Sequence, residues 1–278
     1  EAFIRDELQR LVKLSGNPDR KVTGQMFQET LGKAEDDLIK WAQPKYKHLD
    51  SVARNINLSM QSTEQTIRNA KKKAMVDRRP GAPSRLDNEV EQMYDYVLGN
   101  TRNLSFESLF DTISYLTREQ RKVASRIDNR NPTLEKAYRD TIESLLGDAE
   151  KAVAKSGDDT VMKLYNEVTG VYRESLKTLN DNAIKGLAAK QPEFVGEEIY
   201  RNGSVSSVEA AFKAVDEAAA LAKRNGEKFD PETVKNNIRA GYLRQLFVKA
   251  DVNETSTEAA AKLLRQLEGD DTMGDTFK

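Results

Sequence analysis

The sequence has no cysteine, one histidine and one tryptophan. Without cysteine, disulfides, thiolate nucleophiles and thiolate metal ligands are all excluded. A zinc site would need mostly carboxylates around at most one imidazole, an unusual donor set. Neither sign of charge is in excess: 44 basic and 45 acidic residues leave a net charge of −1. The whole chain is therefore not driven toward nucleic acid or an anionic membrane, and such binding would have to come from local patches. No apolar run approaches the ~20 residues that cross a bilayer, so no membrane span is expected. There is no Gly-x-Gly-x-x-Gly or phosphate-loop pattern, no EF-hand spacing and no Glu-x-x-His frame, and no cofactor or metal is expected. No stretch reads as a strand, and no fixed-period repeat appears. The start, Glu1-Ala2-Phe3-Ile4-Arg5-Asp6, has neither an initiator methionine nor the apolar core of a signal peptide. The chain is expected to be an excerpt or processed product of something longer.

What the sequence does contain is charge and helical periodicity. Charged residues make up 32% of it, above the roughly 25% of average globular proteins, which suits helices that bury one stripe and wet the rest. Residues 1–15 align Phe3, Ile4, Leu8, Leu11 and Val12 before a Gly16-Asn17-Pro18 stop. A second helix is expected from Gly24 to Trp41, ending before Pro44 because the residue preceding proline is pushed out of the α region. Trp41 reads as a core anchor. From Leu49 a coiled-coil-like heptad runs through Ala53, Ile56, Met60, Thr63, Ile67, Ala70 and Ala74. As one helix, 44–76 would be about 50 Å long. His48 neighbours this stripe and is expected to face outward.

Asp77 to Ser84, with two prolines and a glycine, reads as a hinge. A short helix over 87–98 should turn Val90, Met93, Tyr94 and Val97 inward. Ser105 is a candidate cap for the next helix, and Thr117 could open a second capping box that breaks it. Asn131-Pro132 opens a long helix to residue 156. Gly157-Asp158-Asp159 ends it and caps a successor over 159–189, which makes an antiparallel hairpin. Beyond Gln191-Pro192 the helices shorten, with Asp230-Pro231 as a cap followed by proline at the first helical position. A last helix is expected over 256–267. The fold expected is all-α: long antiparallel amphipathic helices in an elongated bundle, with shorter helices toward the C-terminus. Residues 1–190 would form the long-helix region, and 191–278 a smaller short-helix region with a frayed acidic tail.

Few residues invite chemistry. Glu35-Asp36-Asp37, Glu197-Glu198 and Asp270-Asp271 read as solvated helix faces. Phe106-Glu107-Ser108 resembles the Glu-Ser pair at the general acid of lytic transglycosylases, which would make Glu107 a proton donor to a glycosidic oxygen. That family's Gly-Leu-Met-Gln stretch is missing, however, and no glycine occurs between Glu107 and Pro132. Glu107 also lies two residues after a good cap, where an acid suits the helix dipole. The basic run is sharper. Arg68, Lys71, Lys72, Lys73, Arg78, Arg79 and Arg85 stand against Asp77 alone, whereas residues 251–278 carry seven acids and three bases. The run could grip a phosphate backbone, dock the acidic tail of a neighbouring subunit, or simply be solvated. No aromatics interleave it to stack bases.

The segment from Phe194 to Phe247 carries a resemblance. It reads Phe-Val-Gly-Glu-Glu-Ile-Tyr-Arg-Asn-Gly-Ser-Val-Ser-Ser-Val-Glu, then a helix, Asp230-Pro-Glu-Thr-Val, and Ile238-Arg-Ala-Gly-Tyr-Leu-Arg-Gln-Leu-Phe. It resembles segments of internal, ejection-type virion proteins of short-tailed bacteriophages, where short helices follow an Asn-Gly-Ser-Val turn. The likeness covers a fifth of the chain and contains no catalytic motif. It implies a non-enzymatic virion protein that associates with itself or other virion proteins in particle assembly or genome delivery. The alternative is a nucleic-acid-binding helical module using residues 68–85; catalysis through Glu107 comes third.

Overall fold

A computed structural model describes residues 20–76, 88–101, 104–124, 131–187, 190–201 and 205–249. Among these residues there are helices and turns and no strand. In chain order the helices are α1 (Arg20–Val52), α2 (Gln61–Val76), α3 (Asn88–Asn100), α4 (Phe106–Ala124), α5 (Pro132–Ser156), α6 (Asp159–Leu179), α7 (Asn182–Lys185), α8 (Pro192–Arg201), α9 (Val205–Arg224) and α10 (Pro231–Lys249). The all-α class is as expected. The helices expected over 1–15 and 256–267, and the hinge over 77–84, lie outside the described residues.

The chain divides into a central unit, Ile39–Glu174, and a terminal unit, Glu1–Leu38 with Ser175–Lys278. This division does not follow the boundary expected near residue 190. The reason is visible inside the terminal unit, where Pro192 is no linker. A Cβ added at Gly24 of α1 would run into the Pro192 carbonyl, so the backbones touch there. One turn on, the Gln28 side-chain amide donates to the carbonyls of Leu187 and Lys190, at 2.8 Å each. A proline and a helix break read like a joint, yet α1 clamps this segment.

Two expectations about single helices fail for physical reasons. Pro44 does not end α1, which continues to Val52. Proline removes one N–H bond and crowds the preceding turn, but Pro44 and Lys40 are both exposed, so the lost helical bond falls at the surface rather than in the core. The heptad helix over 44–76 is instead interrupted at residues 53–60. Asn55, Asn57 and Ser59 fall there, all side chains that compete with helical hydrogen bonds. The apolar stripe still predicts burial: Leu49, Ala53, Met60, Thr63 and Ile67 are all in the core. Periodicity marks which residues go inside, not whether the helix between them is continuous.

In the central unit, α5 packs against α2, α3 and α4. Asn131 caps it, accepting from the Leu134 amide at 3.0 Å, and Gly157 closes it with φ +67°. Asp158 then caps α6 by accepting from the Thr160 and Val161 amides. The two helices fold back on each other: the Tyr165 hydroxyl donates to the Leu146 carbonyl at 2.8 Å, and Arg173 pairs with Glu150 at 3.2 Å. The core is aromatic. Tyr46 stacks on Phe110 (centroids 4.5 Å), Phe110 meets Tyr172 edge-on, and Phe106 meets Tyr165. Trp41 is buried, with Lys45 over its ring at 4.9 Å. The break expected at Thr117 is absent, and α4 runs on to Ala124. Thr117 is buried, and its hydroxyl donates to the Ile113 carbonyl one turn back.

In the terminal unit, α9 packs against α7, α8 and α10, and α8 also packs against α10. The expected helix over 159–189 is split, because Asp181 accepts from the Ala183 amide and starts a separate short turn. Asp230 caps α10 as expected, accepting from the Glu232 amide and the Thr233 hydroxyl; these bonds hold its carboxyl below the ordinary range.

Candidate functional site

The basic run is the first candidate. Arg68, Lys71, Lys72 and Lys73 lie on α2; Arg78, Arg79 and Arg85 lie outside the described residues. Arg68 is exposed and reaches Glu64 one turn back at 3.7 Å. Lys71 is mostly covered and bonds Asp95 of α3. Lys72 is exposed. Part of the positive charge thus ties α2 to α3, leaving Arg68 and Lys72 at the surface.

His48 and Glu107 sit in local hydrogen-bond arrangements. His48 is exposed, with its Nδ1 3.2 Å from the Ser51 hydroxyl. That hydroxyl also lies 2.7 Å from the His48 carbonyl, the better acceptor. A serine whose proton is held by a main-chain carbonyl is not activated by the imidazole. Glu107 is the second residue of α4, and its amide donates to Asp50 at 2.9 Å. Among the described residues, no group of three or more His, Asp or Glu side chains is placed to hold a metal ion. No described helix is long and apolar enough to cross a membrane.

Two of the clustered acids depart from the reading of solvated faces, while Asp36 is exposed as expected. Glu35 and Asp37 of the terminal unit are buried, and the Asp37 carbonyl accepts from the Asn225 side chain. Near them Lys33 pairs with Glu227 at 2.9 Å, a bond that raises the lysine pKa. Glu198 pairs with Lys190; Asp270 and Asp271 lie outside the described residues.

Two carboxylates missed by sequence reasoning hold the central unit together. Asp50 of α1 accepts from the Phe106 and Glu107 amides, the first two of α4, beside the expected cap Ser105, which accepts from Ser108. Asp148 of α5, only 3% exposed, accepts from the Thr63 amide at 2.8 Å and the Thr63 hydroxyl at 3.0 Å. Each carboxylate occupies the positive end of another helix's dipole and satisfies amides that lack an intrahelical partner. Asp148 lies one turn from Leu145 on the inward stripe, the one sequence signal that an acid would be buried here.

The buried phenols follow the same pattern. The Tyr46 hydroxyl lies 3.2 Å from that of Thr169, and burial pushes its pKa up to about 12, against weaker lowering by Thr169 and Arg173. Burial also raises Tyr165, with Tyr46 adding to it. At the surface, Tyr96 of α3 lies against Tyr115 of α4, with centroids 4.4 Å apart and planes at 40°.

No protein-family model, curated protein or solved structure matches this chain.

Proposed function

We propose that this chain is a non-enzymatic structural protein that acts through its helical surfaces, assembling with copies of itself or with other components of a particle. One observation carries the reading: five buried or half-buried polar side chains join helices to one another. Asp50, Asp148, Gln28, Tyr46 and Tyr165 each bond another helix or a connecting segment. Groups committed in this way are stabilising cross-links rather than reagents held ready for substrate. The resemblance of residues 194–247 to phage internal virion proteins supports the finer form, a component of a virion that acts in assembly or genome delivery. That segment comprises α8, α9 and α10, which pack mutually.

Light scattering coupled to size exclusion tests the reading. Species heavier than the 31.3 kDa chain should grow with concentration. A strict monomer at every concentration contradicts self-assembly. The second reading, nucleic-acid binding, draws on the exposed Arg68 and Lys72; absence of duplex and single-stranded DNA binding in low salt removes it.

A further inference from the structure

An exposed strip of the central unit crosses three helices and changes sign along its length. On α2, Arg68 and Lys72 are exposed one turn apart. Lys71, between them in sequence, bonds Asp95 and so ties this edge to α3. Next to Asp95, Tyr96 packs its ring on Tyr115 of α4. Both tyrosines remain open to solvent, at 36% and 42% exposure. Asp111, one turn before Tyr115, is exposed and helps raise the Tyr96 pKa after burial and Tyr115, so its charge is near that hydroxyl. Helix α3 carries Glu89, Glu91 and Asp95 and no base, and α4 adds Glu107 and Asp111 before its first base at Arg118. The strip therefore runs from Arg68 and Lys72 past the tyrosine pair to Asp111.

Such a strip is complementary to itself when turned end for end, as a two-fold interface requires. Resting on the self-assembly reading above, we propose that a second copy of this chain docks here about a two-fold axis. Arg68 and Lys72 of each copy then face Asp111 and the Tyr96–Tyr115 pair of the other. Guanidinium and ammonium groups sit well over tyrosine faces while pairing with a carboxylate. Tyrosine and arginine are also the side chains that most often dominate interface energetics. Three neighbouring helices at about 9 Å spacing, over two to three turns, offer on the order of 500 Å² per copy, below the ~800 Å² of a standard interface. The association is therefore weak and salt-sensitive.

Charge exchange tests this. One variant carries Arg68→Glu and Lys72→Glu; the other carries Asp111→Lys. Every changed side chain is exposed, and circular dichroism checks that the variants fold. By sedimentation equilibrium at low salt, each variant alone should dimerise at least tenfold more weakly than the unaltered chain, because like charges now face each other. An equimolar mixture should recover the original affinity, since each variant then meets the opposite sign. Tyr96→Ser with Tyr115→Ser should weaken association with no rescue by either partner. Variants that associate like the unaltered chain, or a mixture without recovery, overturn this surface while leaving self-assembly intact. An unaltered chain that never associates defeats both.

Discussion

Replacing Asp148 with alanine should destabilise the central unit by about 2–4 kcal/mol, because it leaves the buried Thr63 amide without an acceptor, whereas the Thr63 hydroxyl still reaches Ser144 at 3.1 Å. The stranded amide costs about 1–3 kcal/mol, and the lost charge at the start of α2 adds to this. Lys151 contributes little: its ammonium is 3.7 Å from the carboxylate and largely solvated. Both bonds reach the same carboxylate oxygen, so Asp148→Asn can keep them through its amide oxygen and should cost about 1–2 kcal/mol, the loss of the charge. Thr63→Val removes only the hydroxyl and should cost about 1 kcal/mol. Combined with Asp148→Ala it should cost less than the sum, because both changes cut the same bond. Trp41, the only tryptophan, lies in the central unit and is buried, so its emission during urea unfolding reads the relevant transition. Midpoints should fall with an unchanged slope. If Asp148→Ala costs less than about 0.5 kcal/mol, within the range of an ordinary surface change, the capping argument is wrong. Strict additivity with Thr63→Val would also refute it.

Three other consequences follow. Tyr46 keeps its proton when folded to about pH 12, whereas the unfolded phenol loses it near 10; its contribution is intact below pH 10 and fades as pH rises toward 12. That amounts to about 2–3 kcal/mol, and Tyr46→Phe should flatten the alkaline decline in urea stability unless Tyr46 is not the group responsible. Gly24→Ala drives a methyl group into the Pro192 carbonyl and should cost about 2 kcal/mol or more by overpacking, read as faster amide exchange in α8; unchanged exchange would mean the backbones do not meet. Pro44→Ala restores an N–H inside an exposed helix and should stabilise the central unit by about 1–2 kcal/mol, whereas a lower midpoint in Trp41 emission would show that the proline is needed where it is.

Sequence-local features were legible. Ser105, Asn131, Gly157, Asp158 and Asp230 all act at helix ends as expected, because a cap and its amide lie within three or four residues. Asp50 and Asp148 cap helices 56 or more residues away, and no local pattern announces such a partner. Pro44 misled because the helix rule assumes that a missing N–H is decisive, and on an exposed face it is tolerable. Residues 53–60 misled in the opposite direction, since the stripe runs on while the helix does not. The basic run was legible as charge, but the Lys71–Asp95 bond that uses part of it depends on α3 packing against α2. Tyr96 and Tyr115 fell off their helices' inward stripes; that they would meet could be seen only once α3 and α4 were placed.

Hydrogen–deuterium exchange followed by mass spectrometry at rising protein concentration tests the central claim, that the chain works by packing its surfaces rather than by chemistry in a pocket. Amides of α2, α3 and α4 should exchange more slowly as concentration rises, and high salt should reverse the protection. Exchange that is identical at every concentration, with protection appearing only on addition of a small molecule, would contradict it.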